Sequence, residues 1–308
     1  MKTQSRRRFL TTTGTLAMTP ALSLFGETPV GEGLIDAHVH VWTSDREKYP
    51  LSSKFSDKDV VPAVFDPAIL LAEQAGTGVT RTVLIQMSFY EFDNRYMLDV
   101  IKADPERFRG VAIVDDSTSG VGERMKALAG KGVRGFRLYA FPDKTATWGA
   151  SEGIQEMWKV GGEEGLAMCC LTDPESLPVI QEMCKKYPET PVVIDHFARV
   201  GMTGTVDEKA LGRLLALAEC ENTFVKISAF YALGRKKPPY TDLAPMIRRV
   251  RDAFGSKRLM WGSDCPYQVQ GEHTYKASVD LVQEGLDFLS AGEKADIMKG
   301  TAEKFFFR

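Results

Sequence analysis

The chain has 308 residues, of which 44% are hydrophobic and 26% are charged, and its 39 lysines and arginines nearly balance its 41 aspartates and glutamates. This composition is typical of a globular protein with a substantial core and excludes a disordered or fibrous chain. The formal net charge of −2 lacks the basic excess typical of nucleic-acid-binding proteins, so no nucleic-acid partner is expected. Five cysteines form no C-x-x-C pair, and their odd number predicts buried thiols rather than a complete disulfide set.

The first 26 residues have the pattern of an export signal. Lys2 and the three arginines at positions 6–8 precede an uncharged, mildly apolar run that is too short and too rich in threonine to span a bilayer. The segment from Ser5 to Leu10 resembles the twin-arginine consensus. We therefore expect residues 1–26 to be a twin-arginine-type signal peptide cleaved between about residues 26 and 33, with the twin-arginine export machinery as a partner and a periplasmic location.

From residue 34 onward, short apolar runs alternate with segments of helical spacing. The strands are continuous apolar runs, as in parallel strands buried on both faces. Helix-start signals, Asp66-Pro67 and Asp173-Pro174, open two of the helices. The predicted strands are 34–40, 81–86, 109–114, 133–138, 166–171, 192–196, 224–228 and 259–264, and the predicted helices are 67–76, 93–103, 120–130, 152–164, 174–187, 207–220, 241–254 and 275–290.

Eight strands that alternate with about eight helices predict a single-domain α/β fold, a TIM-like (β/α)8 barrel over residues 34–308. The alternative is a doubly wound open sheet. However, no G-x-G-x-x-G turn follows the first strand, and no G-x-x-x-x-G-K-[ST] motif occurs elsewhere. Because barrel active sites lie at the C-terminal ends of the strands, polar residues at those ends are the candidates for function.

Four such residues predict a metal-binding or hydrolytic site. His38 and His40 end the first strand on one face, since positions i and i+2 of a strand point the same way. His196 ends the sixth predicted strand and Asp264 ends the eighth. Three imidazoles and a carboxylate suit a divalent ion such as zinc, with water in an open position. Asp264 would be a ligand or the base that accepts the water's proton. Any one histidine alone is better explained as a core or surface side chain, but four such residues at strand ends are harder to explain in that way.

Other strand-end residues are candidates for substrate binding. Arg137 emerges near the end of the fourth strand and could bind a carboxylate or stabilise an oxyanion, with a structural ion pair as the alternative. Gln86 closes the second strand with an amide that could bond a substrate, and Tyr139 follows Arg137 as a pocket wall. Lys226 lies inside the apolar seventh strand, where it could be catalytic, but pairing with an acid inside the barrel is the expected role.

The combination of these motifs resembles a known family. The segments 36–40 (DAHVH), 194–196 (IDH) and 262–266 (GSDCP) resemble the amidohydrolase superfamily, and more specifically its amidohydrolase-related type 2 branch of metal-dependent hydrolases. Segments 133–138, 195–199 and 258–264 are similar to the sugar-lactone and dicarboxylate-lactone hydrolases of that branch. The resemblance covers residues 34 to about 305. It implies a distorted barrel that hydrolyses a small ester, lactone or amide. It also implies metal ligands or their metal-free equivalents at His38, His40 and His196, a general base at Asp264 and a carboxylate-binding arginine at Arg199, for which a solvated loop position is the alternative.

Two departures from the family pattern qualify these implications. Binuclear members use a bridging carboxylated lysine and two later-strand histidines, but only His196 is available here, so we expect at most one divalent ion, with zinc the expected metal. Some lactonases of this branch are thought to work without metal. Residues 265–267 (CPY) stand where relatives often carry Trp-Pro-His, so the wall beside Asp264 differs.

The hypothesis from sequence is a hydrolase of a small carbonyl compound, specifically a lactone of a sugar acid or a dicarboxylic acid. The alternatives are a decarboxylase or isomerase on the same scaffold, and a non-catalytic periplasmic binding protein.

Overall fold

The computed structural model describes residues 29–308, so the predicted signal peptide lies outside the described residues. Eight parallel strands form one sheet whose spatial order follows the chain. The strands are β1 Leu34–Val39, β2 Val79–Ile85, β3 Phe108–Ala112, β4 Val133–Ala140, β5 Ala167–Thr172, β6 Val192–Ile194, β7 Thr223–Ile227 and β8 Leu259–Trp261.

The sheet closes where the segment after β8 meets the end of β1. Val39 forms a parallel bridge with Cys265, and the His40 backbone N–H donates to the Cys265 carbonyl at 2.8 Å. The Asp264 backbone N–H in turn donates to the His38 carbonyl at 2.8 Å. Closure of a sheet in sequential order confirms the predicted (β/α)8 barrel and rules out the open doubly wound alternative.

Eleven α-helices occur in the described part of the chain, most of them packed outside the barrel. Helix α5 has the predicted bounds, whereas the predicted helix 275–290 stops short, because α9 ends at Asp280 and is followed by a π-helical turn, Leu281–Gly285. Three short helices, α4, α10 and α11, have no counterpart in the prediction. The helices are α1 Pro67–Gln74, α2 Arg95–Ala103, α3 Val121–Ala129, α4 Pro142–Thr145, α5 Glu152–Glu164, α6 Leu177–Lys186, α7 Glu208–Ala216, α8 Ala244–Phe254, α9 Tyr275–Asp280, α10 Ala291–Ala295 and α11 Thr301–Phe306.

In residues 29–308, no helix combines the length and the apolar character that crossing a membrane requires.

The core has two layers. Small and branched side chains fill the barrel interior, and Ala302 and Phe306 of α11 pack against them. Phe305 of the same helix lies 5.3 Å from Phe224 near the start of β7, so α11 covers the N-terminal end of the barrel. A larger apolar layer joins the strands to the surrounding helices. All five cysteines are free thiols, and four of them are buried, as the sequence predicts.

Six of the eight strands end earlier than the sequence pattern indicates, and for β6 and β8 the difference displaces site residues. β6 ends at Ile194 and β8 at Trp261, so His196 and Asp264 lie beyond the strands rather than within them. Residues 196–199 have φ values from 53° to 62°, and Asp264 has a φ of 66°. Each L-residue in this left-handed conformation costs roughly 1–2 kcal/mol, so the surrounding packing must stabilise these turns. The spacing of apolar residues in the sequence does not indicate where the backbone adopts a left-handed conformation.

Candidate active site

A cavity of about 380 Å³ opens at the C-terminal ends of the strands. Its depth holds imidazoles and a carboxylate, and its walls are mostly apolar and aromatic, which is the usual character of a small-molecule site. Seven of the eight predicted site residues line it. The polar and aromatic lining residues include His40, Gln86, Arg137, Tyr139, His196, Arg199, Tyr231, Asp264 and Tyr267. The remaining predicted site residue, His38, lies just beneath the cavity and is fully buried.

The end of β1 is shaped by a β-bulge. The pairing register with β2 shifts between Asp36 and Val39, so that Ala37 belongs to the inner layer and Val39 to the outer layer. Bulges re-aim side chains in this way beside active sites. The rings of His38 and His40 are 5.1 Å apart. The structure therefore brings the two imidazoles together, as the i, i+2 spacing predicts.

Asp36 and Gly262 hold β1 against the segment after β8. Asp36 Oδ1 accepts from the backbone N–H groups of His38 and Ser263 at 3.0 and 2.9 Å, and Oδ2 accepts from the Tyr275 hydroxyl at 2.7 Å. Burial raises the pKa of Asp36 to about 6, and these hydrogen bonds partly offset that rise. A Cβ atom on Gly262 would lie 2.8 Å from His38 Cβ, so only glycine permits this approach.

Asp264 lies at the centre of the site. Its Oδ1 is 3.5 Å from His38 Nε2 and 3.3 Å from His40 Nε2, while its Oδ2 is 3.7 Å from His196 Nε2. Burial raises the pKa of Asp264, but the neighbouring His196, His40 and His38 lower it by more, so the pKa lies well below the usual carboxyl range. The carboxylate is therefore ionised at neutral pH and available as a ligand or as a base.

The ring hydrogen bonds show how the imidazoles are presented. His40 Nδ1 lies 2.9 Å from the Ile85 carbonyl, which can only accept, so this nitrogen carries a ring proton and its hydrogen bond orients the ring. His196 Nδ1 lies 2.8 Å from the Ser228 hydroxyl, which orients that ring. His40 Nε2 lies 3.3 Å from Asp264 Oδ1, an approach that is favourable when a proton or a metal ion lies between the two atoms.

These contacts fit a single divalent cation. His38, His196 and Asp264 each offer a ligand atom within 4.8 Å of the others, and His40 contacts the same carboxylate from the side. Within the described chain, His38 Nε2 and Asp264 Oδ1 are buried without a hydrogen-bond partner. Buried polar atoms that lack partners indicate a missing ligand or ion. Imidazole nitrogens and a carboxylate are donors that suit a divalent transition-metal ion.

Lys226 and Asp195 form a fully buried ion pair beneath the site. Lys226 Nζ is 3.1 Å from Asp195 Oδ1, and His38 Nδ1 lies 3.0 Å from the ammonium and 3.4 Å from the carboxylate. Burial raises the pKa of Asp195, but the charge of Lys226 lowers it well below the usual range. Burial, reinforced by Lys226, lowers the pKa of His38 well below its usual value, so His38 is neutral. The structure thus gives Lys226 the acidic partner that the sequence predicts.

Arg137 projects into the cavity without an anionic partner. Its side chain is 8% exposed, and its Nε and Nη1 atoms have no acceptor among residues 29–308. The ion pair considered as the alternative for this residue is absent from that part of the chain. The guanidinium lies 5.4 Å from the centre of the Tyr139 ring, which forms the adjacent wall. A buried arginine without an internal partner is positioned to bind an anionic group of a ligand.

Gln86 and Arg199 line the cavity, but their polar groups are partly committed. The Gln86 amide nitrogen donates to the carbonyls of Glu91 and Asp93 at 3.3 and 2.8 Å, so only its oxygen is left for a ligand. Arg199 forms an ion pair with Asp173 at 2.9 Å. The charge of Arg199 is therefore partly neutralised. Because the residue lines the cavity, it is not only a solvated loop residue, which was the alternative.

Tyr231 is a site residue that the sequence pattern did not identify. It follows β7, lines the cavity, and its hydroxyl donates to Asp264 Oδ2 at 2.7 Å. Burial and the Asp264 charge raise the pKa of Tyr231 well above its usual value, so it stays protonated. Its position directly after a barrel strand is the only signal in the sequence, and aromatic residues there are more often packing residues.

Known proteins resemble this chain along most of its length. The amidohydrolase family model matches residues 35–308. The chain is 28% identical to an L-fucono-1,5-lactonase of Burkholderia ambifaria, over 88% of this chain and 94% of the relative. It is also 28% identical to a 2-pyrone-4,6-dicarboxylate hydrolase of Comamonas testosteroni, over 78% of this chain and 79% of the relative.

A solved structure shares the fold at lower sequence identity. An amidohydrolase of Burkholderia multivorans with bound zinc superposes with a TM-score of 0.76 at 21% identity, covering 89% of this chain and 99% of the other. The family model spans the whole barrel and includes the histidines and the aspartate at its mouth. This chain therefore belongs to the amidohydrolase family of hydrolases.

Proposed function

We propose that this protein hydrolyses a lactone of a sugar acid or dicarboxylic acid by attack of an activated water molecule. The observation that carries the proposal is the ionised carboxylate of Asp264, which lies among three imidazoles in a cavity whose wall holds an unpartnered arginine. Relatives that hydrolyse an L-fuconolactone and a pyrone dicarboxylate support the lactone class. The free guanidinium of Arg137 favours a lactone with an anionic substituent.

The chain's own residues supply the acid–base chemistry. Asp264 accepts a proton from water as the water oxygen bonds to the lactone carbonyl carbon and the carbonyl π electrons move onto oxygen. Arg137 stabilises that oxyanion or anchors a substrate carboxylate. When the carbonyl reforms, the ring C–O bond breaks, and Asp264 returns the proton to the leaving alkoxide. The product is a single hydroxy acid, because the carbonyl and the hydroxyl group formed from the ring oxygen remain in one molecule.

We propose that one divalent ion, zinc, belongs to this site. His38, His196 and Asp264 would hold it, with His40 beside them. When bound, zinc lowers the pKa of a ligated water and polarises a carbonyl. Two observations support the choice of metal: the imidazole-rich donor set, and the zinc in the Burkholderia multivorans structure. Metal analysis of protein purified without chelator should give about one zinc per chain.

A lactone panel with a pH indicator tests the function, because hydrolysis releases an acid. Replacing Asp264 with Asn should lower kcat by at least about 1,000-fold without unfolding the barrel, since the proton acceptor is lost. The matched control is Asp99→Asn, which changes a half-exposed carboxylate on α2. Near-parental activity of Asp264→Asn on a confirmed lactone would refute the role of Asp264. Release of carbon dioxide would indicate a decarboxylase, and tight binding without turnover would indicate a binding protein.

We also propose that residues 1–26 direct the folded protein to the periplasm through the twin-arginine pathway. The SRRRFL segment supports this, and export after folding is compatible with free, buried cysteines. Replacing Arg6 and Arg7 together with Lys should remove the protein from the periplasmic fraction. Arg8→Lys, at the free position of the consensus, is the control and should be exported. Export of the double variant at the parental level would contradict the proposal.

A further inference from the structure

The two oxygens of the Asp264 carboxylate have different surroundings. Oδ1 faces the Nε2 atoms of His38 and His40 at 3.5 and 3.3 Å, and within residues 29–308 it has no hydrogen-bond donor. Oδ2 receives the Tyr231 hydroxyl at 2.7 Å. Rotation about the terminal carboxylate bond would exchange the oxygens, because that torsion is broad and nearly two-fold. Tyr231 is the contact that distinguishes them.

The fold fixes where the Tyr231 hydroxyl lies. Ala229 adopts a left-handed conformation with a φ of 57°, which turns the chain sharply after β7 into the short 3₁₀ segment Phe230–Ala232. The Tyr231 ring then packs 6.3 Å from the Tyr267 ring and 6.0 Å from the His273 ring. Aromatic neighbours on two sides restrict the ring, so the hydroxyl is presented to Asp264 in one orientation.

The same contact separates two possible roles for this tyrosine. A tyrosine in an active-site wall could donate to a substrate oxyanion, but a hydroxyl has one proton. Here that proton is directed at Asp264 Oδ2 over 2.7 Å, a length typical of a strong hydrogen bond to a carboxylate. The hydroxyl therefore has only lone pairs to offer the cavity, whereas Arg137 keeps its donors free.

We infer that Tyr231 is a positioning residue that holds Asp264 by Oδ2 and so keeps Oδ1 turned towards His38 and His40. The inference rests on the proposed role of Asp264 as the base. The water's O–H bond breaks as its oxygen bonds to the carbonyl carbon, and the proton passes to the Asp264 carboxylate. Tyr231 keeps its own proton throughout and does not contact the substrate's reacting atoms.

The test is the kinetics of Tyr231→Phe on the best lactone of the panel. Losing a hydrogen bond to a charged group should lower kcat by roughly 10- to 100-fold, with KM within about twofold of the parent. Tyr49→Phe is the matched control, because the Tyr49 hydroxyl donates to the Asp99 carboxylate at 2.6 Å outside the cavity. Its kcat should stay within about twofold of the parent.

A double variant separates positioning from a general effect on the fold. In an Asp264→Asn background, Tyr231→Phe should cause no further loss of kcat, because the base is already absent. An additional loss equal to that in the parent background would overturn the inference. So would a kcat of Tyr231→Phe within about twofold of the parent, or a raised KM with unchanged kcat, which would make Tyr231 a substrate contact.

A structural measurement decides the matter if the parent hydrolyses no lactone and the proposed function itself fails. High-resolution crystal structures of the parent and of Tyr231→Phe would show the plane of the Asp264 carboxylate directly. The inference expects a rotated or doubly populated carboxylate in the variant. A carboxylate in the parental orientation, still held by the histidines alone, would overturn it.

Discussion

Replacing Lys226 with Met should lower the stability of the folded protein far more than replacing a lysine in an equally short surface ion pair. Lys226 Nζ and Asp195 Oδ1 are 3.1 Å apart, and both side chains are fully buried. At that separation, with an effective dielectric of about 20, the attraction is about 5 kcal/mol. Methionine replaces the lysine side chain as far as Cε but lacks the ammonium group, so it leaves Asp195 as an uncompensated buried charge. We expect the free energy of unfolding to fall by about 3–5 kcal/mol.

The assay is equilibrium unfolding in urea, followed by circular dichroism and tryptophan fluorescence, with all proteins treated with chelator. Lys48→Met is the control, because Lys48 lies 3.1 Å from Asp99 on the surface with both side chains half-exposed. Its unfolding midpoint should remain close to that of the parent, since solvent screens the pair. The double variant Lys226→Met/Asp195→Asn should recover at least half of the loss, because it removes the stranded charge. A loss below about 1 kcal/mol for Lys226→Met would refute the reasoning.

Four further predictions follow from the site. Arg137→Gln should raise KM by roughly 10- to 100-fold for anionic lactones and much less for neutral ones; equal changes would contradict an anion-binding role. Gly262→Ala places a Cβ atom 2.8 Å from His38 Cβ and should cost about 1–3 kcal/mol of stability as well as activity, whereas an unchanged urea midpoint would show that β1 can move aside. The pKa of Asp36 is about 6 in the fold against 3.8 ordinarily, so the folded state binds the extra proton and its stability falls as pH rises from about 4 to 6. The stability advantage of the parent over Asp36→Asn should therefore shrink by about 3 kcal/mol over that range in urea titrations, and a constant difference would rule out this assignment. Adding zinc to chelator-treated protein should raise its melting temperature, and His196→Ala should abolish the rise; an equal rise in the variant would place the zinc elsewhere.

The barrel and the residues at its mouth could be predicted from the sequence because both depend on local pattern. Continuous apolar runs of strand length indicate parallel strands buried on both faces, and eight of them with intervening helices leave few topologies. Polar residues that end such runs, among them His38, His196 and Asp264, stand out against their apolar neighbours. Their chemistry is a property of the side chains themselves. The sequence by itself therefore determined the fold, the location of the site at the C-terminal ends of the strands, and the ionisable residues of that site.

The tertiary structure alone decided how these residues face one another. The bulge in β1 and the left-handed turns at His196 and Asp264 depend on packing from distant strands, which no local period records. Whether a buried ion pair forms also depends on residues distant in the chain. Lys226 meets Asp195, which follows the neighbouring strand β6, while Arg137 meets no carboxylate in the described chain. The sequence alone favours a packing role for an aromatic residue after a strand. For Tyr231, the functional contact became evident only from the position of its hydroxyl, 2.7 Å from Asp264. Contacts between strands are set by barrel closure, because closure brings together side chains that are far apart in the chain.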